Sequence, residues 1–290
     1  MTQPVSPPDL TGRTALITGA NSGIGKATAT LLAGAGADVV ITARDRDKGA
    51  AAARDITAEA AGRRTVTVSD LDLARMSSVR DCAQRFLGSH ARLDVLILNA
   101  GMTSARRRVT DDGFEMLFQV NHLGHYLLTR LLLDRLEAST PSRVVVVASV
   151  AHQRGRLNFD DLHHELRYTG MGAYGASKLA NVLFAQELAR RLQGLSVLVN
   201  ALHPGTVRSG WGDDGDAGFW LTLGLRIARP FFLSPRRAGL RVVQLATEAD
   251  TTGGYYRRGR LTPPAPHARD PEAARRLWEV SEQLVTPWLP

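Results

Sequence analysis

The stretch GMGAYGASKLAN, residues 170–181, places Lys178 four residues after Tyr174. On a helix that spacing puts a phenol and an ammonium on one face, one turn apart. A positive charge beside a phenol favours the phenolate and lowers a pKa that starts near ~10. The pair therefore reads as a proton donor and acceptor tuned toward neutral pH. Lysine is scarce in this chain: of 36 basic residues only Lys26, Lys48 and Lys178 are lysines. Taken alone, an exposed lysine and a packed tyrosine remain the simpler reading, so the case depends on what else the chain carries.

A second candidate site is TGANSGIGK, residues 18–26. Gly19, Gly23 and Gly25 permit a tight turn and close approach of backbone to a pyrophosphate. The helix that follows points the amides of Ser22, Gly23, Ile24 and Gly25 and its positive dipole end at the phosphates. The next strand ends DVVITAR, where an acidic residue would bond a ribose 2′-hydroxyl and favour NAD. Ala43 and Arg44 stand there instead. A guanidinium suits the 2′-phosphate of NADP, and Lys26 adds positive charge. NADP(H) is the expected cofactor, with NAD(H) possible.

These residues need a scaffold, and the chain supplies one. Short β-branched runs lie at 14–19, 38–44, 65–71, 95–100, 143–149, 196–203 and 253–258, separated by Ala- and Leu-rich segments of helix length. Continuous apolar strands alternating with helices predict an α/β fold, a doubly wound parallel sheet of about seven strands covered on both faces. A chain of 290 residues that is 44% hydrophobic can bury such a core as one domain over 11–290, after a Pro-rich, disordered lead-in at 1–10. Two helical segments, 114–136 and 174–192, are apolar on more than one side, which suggests a homodimer through them. Residues 205–232 break the alternation with Gly, Trp, Phe and Asp and read as a mobile flap rather than scaffold.

Composition sets limits. The lone cysteine, Cys82, excludes an internal disulfide and suits a reducing compartment; it sits in a helical pattern as a small core residue. No apolar run is long enough to span a membrane, and a cytoplasmic location is expected. The formal charge of +8 raises nucleic acid as a partner, but the arginines are spread along the chain, with tight clusters only at 105–108 and 255–260. Solvated surface charge is the expected account. His163, His164 and Glu165 in LHHEL lack the i, i+4 histidine pair of a helical zinc site, and no metal is expected.

Together the motifs resemble the short-chain dehydrogenase/reductase family. TGANSGIG is similar to its glycine motif, LNAG (98–101) to its NNAG motif, YGASK to its YxxxK signature, and HPGTV (203–207) to its PG motif. FQVNHLGHYLLT, VVVVASVAH and SKLANVLFAQELARRL, with the long interval between Ser149 and Tyr174, are most similar to the retinol dehydrogenase and WW-domain oxidoreductase branch. The resemblance implies a Rossmann-type domain that interconverts a carbonyl and an alcohol.

It also implies roles. Tyr174 would pass the proton, Lys178 would hold the nicotinamide ribose and depress the Tyr174 pKa, and Ser149 would bond the substrate oxygen. Asn121 would fix a water linking Lys178 to solvent. Asp72, followed by Leu73, would bond the adenine amino group, with Asp70 a rival. Asn99, Ala100 and Gly101 would line the ribose, and Pro204, Thr206 and Val207 would border the carboxamide. His152, Trp211, Phe219 and Trp220 are candidate substrate-lining residues, and the apolar flap implies a bulky, lipophilic small molecule. The alternative is a catalytically silent NADP(H)-binding sensor or scaffold. The complete set of Ser149, Tyr174, Lys178 and Asn121 argues against it.

Overall fold

The computed structural model describes residues 8–60, 66–205 and 233–290. The apolar runs form strands β1 (Thr14–Ile17), β2 (Asp38–Ala43), β3 (Thr67–Asp70), β4 (Val95–Leu98), β5 (Ser142–Val147), β6 (Val197–His203) and β7 (Tyr255–Arg257). A two-residue strand, β8 (Arg260–Leu261), returns from β7 through a tight turn. The eight strands form one sheet in the order β3-β2-β1-β4-β5-β6-β7-β8. Only the β7–β8 pairing is antiparallel. The order reverses between β1 and β4, which opens a crevice at the carboxyl ends of the strands.

Helices cover both faces. On one lie α1 (Gly23–Gly34) and α2 (Arg46–Glu59), and on the other α3 (Met76–Ser89). A short α4 (Met116–Phe118) runs through a π-helical turn, Gln119–Leu123, into α5 (Gly124–Ala138). Then come α6 (Gly170–Arg191), α7 (Pro235–Thr247) and α8 (Pro271–Val285). Asp45, Thr169, Ser234 and Asp270 cap α2, α6, α7 and α8 by accepting backbone amides of the first turn. One core layer packs Ile17, Ile41 and Ile56 with Val242 of α7; the other packs Phe86, Tyr126, Phe184 and Leu277. Cys82 is buried in that second layer, as expected.

The second apolar faces of 114–136 and 174–192 are covered from within the chain. The Trp278 ring of α8 lies 4.9 Å from Tyr126 and 6.0 Å from Phe184. The Arg191 guanidinium covers it at 4.5 Å. The Tyr126 hydroxyl donates to Glu282 (2.6 Å), whose carboxylate also takes two bonds from Arg130. The apolar surface that suggested a second subunit is thus the seat of the chain's own α8. The reason is sequence distance: the cover comes from a helix whose Glu282 lies 156 positions after Tyr126.

The flap expected at 205–232 falls outside the described residues after Gly205, and so does the lead-in before Pro8. The end of that lead-in is built into the fold: Leu10 donates its amide to Ala35 (2.8 Å) and packs on the core.

Candidate active site

Ser149 follows β5 in extended conformation and caps a short 3₁₀ turn, Val150–Gln153, its Oγ accepting the Ala151 amide at 3.2 Å. The turn lies against the start of α6, where Gly155 and Gly175 meet backbone to backbone. A Cβ on Gly155 would sit 2.1 Å from the Gly175 carbonyl oxygen, so no side chain fits between them. This close approach brings the Tyr174 hydroxyl into a hydrogen bond with Ser149.

Lys178, one turn on, is buried with Tyr174. Its Nζ donates to the Val147 carbonyl (3.1 Å) and lies 5.8 Å from the centre of the Tyr174 ring. Burial pushes the Tyr174 phenol up, and the Ser149 hydrogen bond works against that rise. The same burial pulls the Lys178 ammonium down to about 8. This corrects the expectation that the lysine's charge leaves Tyr174 more acidic than usual. Removing both groups from water disfavours the phenolate and the ammonium alike.

Asn121 sits in the π turn, a distortion common at functional positions. Its Nδ2 donates to the Met102 carbonyl (3.0 Å) and Ser177 Oγ (2.9 Å), and its Oδ1 accepts the Met102 amide (2.8 Å). The side chain is thus a clamp on the loop after β4, leaving the main-chain carbonyl to serve any water. That carbonyl accepts from His125 Nδ1 at 3.2 Å and keeps a second lone pair.

His125 is the participant that sequence reasoning did not select. Its Nε2 meets Thr18 Oγ1 at 2.9 Å, and Thr18 Oγ1 also accepts the amides of Asn99 (2.9 Å) and Ala100 (3.0 Å). The Asn121 carbonyl can only accept, so the neutral ring carries its proton on Nδ1, and Nε2 accepts from the Thr18 hydroxyl. Burial pulls His125 down to about 3, so it is neutral. Its place one helical turn after Asn121 is the signal that could have found it.

His152 does not line an open pocket, contrary to expectation. It is fully buried, its Nε2 accepting the Ala265 amide (3.2 Å) and its Nδ1 donating to the Ser149 carbonyl (2.7 Å). Packed at 4.8 Å from Tyr255, it holds Ser149 from behind.

The dinucleotide cradle is built at the ends of β1, β2, β3 and β4. Gly19 has φ +64, and a Cβ there would lie 2.9 Å from Ala100. Asn99 Nδ2 ties the turn down by donating to the Thr18 and Gly19 carbonyls. Gly101 faces Asn121 Oδ1 and Lys178 Nζ. At the start of α1, Ser22 makes no side-chain cap and the first turn holds no acid. The leading amides of Gly23, Ile24 and Gly25 can therefore receive an anionic phosphate, so the residues fit a dinucleotide.

At the far end of the cradle Arg44 is exposed at the tip of β2. Lys26 does not supply the expected free charge, because its Nζ pairs with Asp55 at 2.7 Å. Asp70 is held by Arg46 (2.7 Å), which weakens it as the rival of Asp72. Asp72 accepts the Ala74 amide (3.0 Å), and Leu73 is buried against Gly124. Pro204 follows β6, its carbonyl accepting from Arg241 (2.8 Å). Thr206, Val207, Trp211, Phe219 and Trp220 lie outside the described residues. Among the described residues no group of His, Cys, Asp or Glu is placed to hold a metal; His163 instead accepts the Glu115 amide and packs on Phe114.

Residues 13–215 match the family model described as short chain dehydrogenase, and the chain belongs to that family. Its curated relatives place it in the retinol dehydrogenase branch. The chain is 46% identical to human retinol dehydrogenase 13 over 286 residues, covering 94% of this chain and 85% of that protein. It is 47% identical to bovine dehydrogenase/reductase SDR family member 13, with 95% and 74% covered. Among solved structures, an uncharacterised protein from Mycobacterium paratuberculosis superposes with TM-score 0.79 at 36% identity, with 98% and 97% covered. The Pseudomonas aeruginosa RhlG/NADP active-site complex does so with TM-score 0.69 at 28% identity, with 86% and 95% covered. The chain is a short-chain dehydrogenase/reductase acting on CH–OH and C=O groups.

Proposed function

We propose that this enzyme uses NADP(H) to interconvert a carbonyl and an alcohol on a bulky, lipophilic small molecule, working chiefly as a reductase. The observation that carries the reading is the hydrogen bond between Ser149 and Tyr174, with the buried Lys178 Nζ 5.8 Å from the Tyr174 ring centre. A silent binding protein has no need of that arrangement. Cofactor choice rests on Arg44 at the β2 tip, where Ala43 stands in place of an acidic residue. The neighbouring Asp45 is occupied in capping α2. Two exposed apolar side chains in the segment that precedes Tyr174, Leu166 and Met171, support a lipophilic substrate.

A bound nicotinamide dinucleotide would supply or accept the hydride. The chain does the rest. Ser149 donates a hydrogen bond to the substrate oxygen and stabilises the charge that grows on it. Tyr174 gives its phenolic proton to that oxygen, completing the alcohol, and takes it back in the reverse direction. Once that proton has left, the Lys178 ammonium lies close enough to stabilise the phenolate. Asn121 and His125 keep the β4 loop and the glycine turn in register with α6.

A parallel screen of aldehydes and ketones with NADPH and NADH tests the reading. Expected are faster oxidation of NADPH and a loss of at least a hundredfold in kcat in Tyr174→Phe, the range removed with a positioned acid. A Tyr174→Phe variant that oxidises NADPH as fast as the parent with every active carbonyl overturns it.

A further inference from the structure

The arginine cluster of the β7–β8 hairpin is not used by the chemistry described above. Arg257, Arg258 and Arg260 lie within four positions, on a turn whose Arg258 and Gly259 have φ of +55 and +77. That turn type folds back tightly and keeps the three guanidinium groups together. With Thr262 they line a cavity of about 520 Å³. Among the described residues none of the three has an ion-pair partner.

The cluster also adds to a wider positive field. Arg241, pulled down by burial, feels the charge of Arg258 and Arg237. His203 is pulled down to about 4, first by burial and then by Arg257 and Arg241. Like charges gathered without counter-charges repel one another, and such a set is suited to hold an anion.

Its location identifies the anion. Arg257 is in register with His203 at the end of β6, so the hairpin tip stands at the carboxyl edge of the sheet. Ser149 follows β5, and β7 lies two strands along, about 10 Å at the usual strand spacing. The 2′-phosphate cradle is at β2, on the other side of the reacting centre.

We infer that the hairpin arginines bind a carboxylate or phosphate at the distal end of the substrate, about 10 Å from the reacting carbon. This rests on the carbonyl–alcohol reading above and narrows it: the substrate is amphipathic, with a lipophilic body and an anionic end.

The test compares decanal with its ω-carboxylate as NADPH-dependent substrates, in the parent and in Arg257→Ser/Arg258→Asn/Arg260→Ser; asparagine tolerates the positive φ. The parent should favour the carboxylate by at least tenfold in kcat/KM, and added salt should erode that preference. The triple variant should lose it while handling decanal within twofold of the parent. Equal rates on both substrates in the parent, or an equal fall on both in the variant, would overturn the inference and leave the enzyme assignment standing. If neither compound oxidises NADPH, the functional reading fails for such substrates, and equilibrium dialysis of the two compounds decides the inference. Retention of the carboxylate alone, abolished in the variant, supports it; equal retention overturns it.

Discussion

His125 Nε2 stands 2.9 Å from Thr18 Oγ1 while its Nδ1 stands 3.2 Å from the Asn121 carbonyl, so one neutral ring joins the glycine turn to the π turn. His125→Phe keeps the volume but severs both bonds. Two buried hydrogen bonds, each worth about 1 kcal/mol net, convert to at most roughly thirtyfold weaker dinucleotide binding. The expected result is that loss, with a lower kcat, and partial recovery in His125→Gln. Unchanged NADPH affinity, measured by fluorescence titration in a folded variant, would dismiss the linkage.

Lys178 gives a prediction in pH. Its folded pKa is pulled from 10.5 to about 8 by burial. The charged form therefore weighs against folding at full strength below pH 8. That cost fades between pH 8 and 10.5, where the unfolded chain holds a proton the folded one has released. Lys178→Met should abolish turnover yet raise stability at pH 7 by on the order of 3 kcal/mol, seen as a higher thermal midpoint. The gain should shrink as melts are repeated toward pH 10. A constant difference across that range would contradict the burial account.

Arg44 decides the cofactor in this reading. Arg44→Asp should lower kcat/KM for NADPH by at least tenfold and raise it for NADH, since a carboxylate repels the 2′-phosphate and can bond the 2′-hydroxyl. Steady-state kinetics with both dinucleotides check this directly. No change in their ratio would remove Arg44 from the cofactor site.

Trp278 seals α5 and α6. Trp278→Ala should destabilise by about 3–5 kcal/mol through the cavity it leaves, and the uncovered apolar face should promote self-association. Urea unfolding and light scattering would show both effects; a variant as stable and monodisperse as the parent would refute the sealing role.

Much of this was legible in the chain because it is local. The apolar runs fixed seven strands within a few residues, and the i, i+4 spacing of Tyr174 and Lys178 survives unchanged in α6. What escaped is long-range. Nothing near 114–136 shows that Trp278 will cover it, and nothing in LHHEL or VVVVASVAH shows that His163 and His152 turn inward. The Lys26–Asp55 pair spans 29 positions and cancelled a charge that looked free. The upward push of burial on Tyr174 depends on how much water α6 excludes, which spacing alone does not report. The π turn is likewise invisible to a helical pattern.

The strand order has one more consequence. Five strand intervals, about 24 Å, lie between the β2 tip with Arg44 and the β7 tip with Arg257. Changes at points so far apart, with no shared neighbours, should combine additively. A lineage, or an engineer, could therefore exchange the coenzyme and the substrate one at a time, each without undoing the other.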